Sequence, residues 1–148
     1  MTRLSAALIG TWELLSREDR NRAGELCPDP ALGGDPVGLL FYDRSGRFAL
    51  QLMKRERTTP SAAGAPAVSS PDNTRPQDGY DAYFGTYVVD DEHALVTQTL
   101  QAALSTESVG QTVTREISVL EDTLTIRLNT ANVDGEAVTR TLRWRRLR

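Results

Sequence analysis

At 148 residues and 16.3 kDa the chain has the length of one domain around a single core. Its 39% hydrophobic and 25% charged content excludes wholesale disorder, and a net charge of −3 with pI near 5.2 gives no electrostatic reason to expect nucleic acid or an anionic membrane as partner. A single cysteine, Cys27, excludes an intramolecular disulfide, a Cys-based zinc site and a CxxC redox pair. The apolar run after Arg3 is too short for a signal peptide, and no stretch approaches the roughly 20 apolar residues of a membrane span. The expectation is a cytoplasmic protein, monomer or homodimer.

Residues 3–9 are expected to form a short helical lid before the first strand. That strand opens at Gly10-Thr11-Trp12 and runs to about Arg17. Residues 18–36 are polar, with three prolines and three glycines, and read as a long loop flanking one end of the domain. Strands over Val37–Tyr42 and Arg47–Met53 flank the hairpin loop Asp43-Arg44-Ser45-Gly46, whose glycine can supply a positive φ. The second of these carries bulk on both faces, with Phe48, Leu50 and Leu52 on one and Ala49, Gln51 and Met53 on the other. Its inward face is therefore not readable from the strand itself.

Residues 54–79 contain four prolines among Ser, Ala, Gly and Thr and almost nothing large and apolar. Such a segment cannot repay the entropy of ordering by burial, and reads either as a loose connection or as a flap over a pocket. The clearest strand follows at 80–89, with Tyr83, Gly85 and Tyr87 on one face. Further strands are expected at 94–104, 109–120, 124–128 and 137–147, separated by turns at Asp90-Asp91-Glu92-His93, Glu121-Asp122 and Asn132-Val133-Asp134-Gly135. The spacing fits an antiparallel meander, and closure into a barrel removes the exposed edges of so many strands.

Several stretches resemble the lipocalin-like domain family, small calycin-type β-barrel proteins of bacteria and fungi. They are Leu8-Ile9-Gly10-Thr11-Trp12-Glu13-Leu14, Gly38-Leu39-Leu40-Phe41-Tyr42, Gln51-Leu52-Met53, the run Gly79-Tyr80-Asp81-Ala82-Tyr83-Phe84-Gly85-Thr86-Tyr87, Arg115, and the ending Leu142-Arg143-Trp144-Arg145-Arg146. The resemblance implies an all-β fold: one antiparallel barrel of eight to ten strands with an internal cavity and a short N-terminal helix. It also implies that Arg146 caps the closed end by stacking on Trp12, and Trp144 is read with them as structural. The chain departs from the family where Gln98-Thr99 replaces a common histidine pair and Ser105-Thr106-Glu107 replaces an aromatic-bearing loop.

No phosphate-binding loop, HExxH or dinucleotide fingerprint is present, so neither a cofactor nor a metal is expected. His93, the only histidine, lies among acidic residues in a turn, where neighbours cannot all point at one ion. Polar residues on faces that should turn inward are the remaining candidates. Arg115 shares a face with Val113, Ile117 and Val119, and an inward arginine must find an internal carboxylate or an anionic ligand oxygen. Tyr83, Tyr87 and Arg115 are the candidate catalytic groups. Gln51, Met53, Gln98, Ile117 and Leu40 would complete a mostly apolar pocket. The pattern supports a barrel that binds a hydrophobic, polyketide-like molecule and promotes its cofactor-free cyclisation or isomerisation. A carrier or sensor that only sequesters such a ligand is the alternative.

Overall fold

The computed structural model describes residues 3–57, 74 and 76–148. A one-turn helix, α1 (Leu4–Ala7), precedes eight strands: β1 (Gly10–Arg20), β2 (Val37–Tyr42), β3 (Arg47–Met53), β4 (Tyr80–Asp90), β5 (Leu95–Ala103), β6 (Thr112–Leu120), β7 (Thr123–Ala131) and β8 (Ala137–Leu147). Each strand pairs antiparallel with the next, and β1 pairs with β8 to close the barrel. Alternation along each strand sends one set of side chains into a single core. The inward row of β3 is Phe48, Leu50 and Leu52, which settles the face that the sequence leaves open.

Two close approaches fix the shape. In the β4–β5 pairing the register shifts at Phe84/Gly85, so β5 carries an extra residue there. A Cβ on Gly85 would lie 1.8 Å from the Thr99 carbonyl oxygen, so no other residue fits without moving the strand. At the start of β1, Gly10 has φ +150° and a Cβ there would sit 2.7 Å from Arg146 Nη1. The glycine of Gly-x-Trp thus clears space for the guanidinium that caps the barrel.

That cap is built as the sequence leads one to expect. Arg146 donates to the carbonyls of Ile9 (2.7 Å) and Ala7 (2.6 Å), and its guanidinium lies 4.3 Å from the Trp12 ring centroid. Trp12 Nε1 donates to the Leu8 carbonyl at 3.0 Å. A four-residue helix cannot persist alone. Here α1 is tied down by these bonds and by Ser5, whose N–H and hydroxyl both reach the Asp91 carboxylate at 2.9 Å.

The opposite end is covered by the chain between β1 and β2. Asp29 Oδ1 accepts the Ala31 N–H at 2.9 Å, and the turn this forms drives Leu32, only 1% exposed, into the barrel. Cys27 lies half-buried at this end, its backbone N–H bonded to the Asp19 carbonyl at 2.8 Å. Most of the segment expected as a flap (58–73 and 75) lies outside the described residues. Thr74 and Pro76 at its end reach the interior.

The strand ends differ from expectation in one consequential place. β1 does not stop near Arg17 but continues to Arg20, with a register shift against β8 between Leu14 and Ser16. An extra residue in one strand resets which side chains point inward. Trp12 and Leu14 face the core before the bulge, and Arg17 and Asp19 face it afterwards. In β8 the inward row runs Val138, Arg140, Leu142, Trp144, so Arg140 points into the barrel.

Candidate functional site

Inside the barrel, between the Trp12 plug and Leu32, lies a cavity of about 40 Å³. One water needs roughly 10–15 Å³ on this scale, so the space takes a compact group of a few atoms. Leu40, Leu50, Ile126, Trp144 and other apolar side chains supply most of the wall, and Arg17, Asp81, Tyr83, Gln98, Arg115 and Arg140 set polar groups into it.

The bulge in β1 and the inward row of β8 place a set of ionised side chains at the mouth. Arg140 forms a two-point bond with Asp19 (Nε to Oδ1 2.8 Å, Nη2 to Oδ2 2.9 Å), and both residues are buried. Asp29 lies between two cations, its Oδ2 3.3 Å from Arg17 Nη2 and 3.5 Å from Arg140 Nη2. Burial, and then the neighbouring Arg140, lowers the Arg17 guanidinium from its ordinary value.

Deeper along β4, Asp81 and Tyr83 follow one another on the inward face. Asp81 is 4% exposed and accepts a 2.5 Å hydrogen bond from the Thr74 hydroxyl. Burial raises its carboxyl above the usual range, outweighing that bond, the Ala82 N–H and the nearby arginines. Burial, and then the neighbouring Asp81, pushes the Tyr83 phenol up to about 12. On the facing wall Gln98 Nε2 donates to the Tyr42 hydroxyl at 2.7 Å, and burial raises the Tyr42 phenol as well. Arg115 lines the same space and donates to the Thr114 carbonyl at 3.1 Å. The result is a donor-rich interior: neutral phenols, a carboxyl driven toward its neutral form, an amide and three guanidinium groups.

The model of the lipocalin-like domain family matches residues 9–147. The chain belongs to that family. A search of curated proteins returned no match. A lipocalin-like barrel implies small-ligand binding, and the interior described above is where such a ligand would sit.

Within this lipocalin-like barrel, four of the expected site residues converge on the cavity: Tyr83, Arg115, Gln98 and Leu40. Gln98, rather than Thr99, turns inward; Thr99 faces out, its hydroxyl 3.5 Å from that of Thr112. Four others do not reach it. Gln51 and Met53 lie on the outer face of β3, opposite Leu50 and Leu52, and Gln51 accepts a hydrogen bond from the Tyr80 hydroxyl there. Ile117 is buried but packs away from the cavity, opposite Ile126 in the β6–β7 ladder. Tyr87 lies toward the plugged end, where its hydroxyl donates to the Asp43 carbonyl at 2.6 Å and its ring stands edge-on to Tyr42. His93 stays in its exposed turn with Nδ1 2.8 Å from Asp90 Oδ2.

Arg17, Asp19, Asp81, Arg140 and Tyr42 are site residues that the sequence reasoning missed. Three of them carried a signal. Asp81 has the parity of Tyr83, Arg140 that of Trp144, and Tyr42 that of Leu40.

Proposed function

We propose that the barrel receives a small acceptor-rich molecule, polyketide-like in its run of carbonyl oxygens, and promotes its cofactor-free isomerisation or cyclisation. The observation that carries this reading is Asp81: a buried carboxyl, raised by burial, on the cavity wall one inward position from Tyr83. A buried carboxyl can give a proton to one position of an enolisable ligand and take one from another, with no net change in the protein. Tyr83 and Arg115 would polarise the carbonyl as charge develops on its oxygen. The ligand's reacting end occupies this small space.

A non-catalytic carrier is the second reading, favoured by Leu32, whose burial over the mouth would retain a ligand. One incubation separates the two. The protein is mixed with a metabolite extract of cells that produce it, and the extract is followed by mass spectrometry. Under the catalytic reading one component is converted to an isomer, and Asp81→Asn or Tyr83→Phe slows that conversion by about 100-fold, the lower range of general acid–base contributions. A component that is bound and returned unchanged would establish the carrier instead.

A further inference from the structure

Among the described residues, two buried side-chain N–H donors of this interior make no hydrogen bond: Arg17 Nε and Trp144 Nε1. Both residues line the cavity, Arg17 at 5% exposure and Trp144 at 0%. They are neighbours across the β1–β8 seam. Leu142 stands opposite Arg17, and Trp144 is the next inward residue of β8, diagonal to Arg17 on the same face. A buried donor without a partner is costly, and more so when it carries charge. The fold does little to relieve this one. Among the described residues Arg17 has one ion-pair partner, Asp29, which it shares with Arg140, while Arg140 is already held at two points by Asp19.

The two orphans have the same sign of chemistry, since indole N–H and guanidinium N–H donate and neither accepts. Their complement is an acceptor. Because Arg17 is a cation crowded by a second cation, an anionic acceptor fits better than a neutral one. The bulge in β1 is what brings Arg17 here; without it the guanidinium would point to solvent.

We infer that Arg17 and Trp144 form the anchor for a planar oxyanion, a carboxylate or an enolate, carried by the ligand. The inference rests on the ligand-binding reading above and goes beyond it by naming the charged group and the two atoms that hold it. The anchor positions the ligand beside Tyr83 and Asp81, and takes no part in proton transfer.

The test follows the Arg17 Nε–H and Trp144 Nε1–H signals of the full chain by ¹H–¹⁵N NMR. Acetate, propionate and benzoate are titrated against acetamide, propionamide and benzamide. The anchor gives saturable shifts of both signals with the acids, and affinities at least about 10-fold weaker with the matched amides, as for loss of a charge-assisted hydrogen bond. Trp144→Phe keeps an aromatic ring and removes the N–H, so the test does not depend on Arg17→Met folding. Either variant should weaken the acids by about 10-fold and the amides by less. Amides that move the two signals as readily as the acids overturn the anchor while leaving the binding site in place. If no probe of either class moves any interior signal, including those of Tyr83 and Gln98, both the anchor and the ligand-binding reading fall.

Discussion

Burial gives the interior a raised carboxyl at Asp81, and a pH dependence follows from it. This carboxyl is raised in the folded protein, so between the ordinary carboxylate value, near 4, and the raised one the folded state holds more protons than the unfolded chain. Stability contributed at this site therefore falls as pH rises through that window, and the full penalty is present above it. Asp81→Asn cannot ionise and escapes the penalty, so its melting temperature should gain on that of the wild type as pH is raised from about 4 to 7. A constant difference across that range would contradict the raised carboxyl. Asp19 and Arg140 form a buried ion pair held at two points. Asp19→Asn leaves Arg140 facing a neutral amide and should cost about 3–5 kcal/mol in a denaturant titration, with little relief from salt because the pair is buried. Parity along single strands made Tyr83, Arg115 and Leu40 legible as inward residues. It failed for Gln51 and Met53 because β3 carries bulk on both faces, and the choice between them depends on neighbouring strands.

At the scale of elements, the hairpin turns were legible because their residues carry local chemistry. Asp43 Oδ1 accepts the backbone N–H groups of Ser45 and Arg47, both at 2.9 Å, and Gly46 takes φ +88°. The end of β1 was not legible. Glu18-Asp19-Arg20 reads as polar loop, yet its strand partners lie at the far end of the sequence in β8. Without the bulge in view, alternation assigns Arg17 and Asp19 to the wrong face. The bulge at Gly85 gives a direct check. Gly85→Ala forces a methyl group onto the Thr99 carbonyl and should destabilise by about 3 kcal/mol or more, at the upper end of overpacking costs. At the plug, Arg146→Met removes two charged hydrogen bonds and the stacking on Trp12, and should cost about 2–4 kcal/mol by the same measure. Ligand affinity should hold in that variant, since Arg146 lies at the end of the barrel away from the mouth.

The whole molecule is a barrel with one end plugged by packing and the other occupied by charge. The plug follows from Gly-x-Trp and an arginine near the end of the sequence, and was readable as soon as those residues were paired. The charged mouth was not, because it needs the bulge in β1, the row of β8 and the loop carrying Asp29 to meet. Closure joins β1 to β8, contacts that span nearly the whole sequence, so folding should take milliseconds to seconds. The central claim is that the donor-rich interior is a ligand site. Native mass spectrometry of the protein taken from cells that make it tests this most directly, with the mass of each variant read beside the wild type. We expect the wild type to carry a small molecule that is released on denaturation, and Tyr83→Phe with Arg115→Ala to carry much less of it while remaining folded. A wild-type protein whose native mass equals that of the bare chain, and which still takes up nothing from the metabolite extract, would contradict the claim.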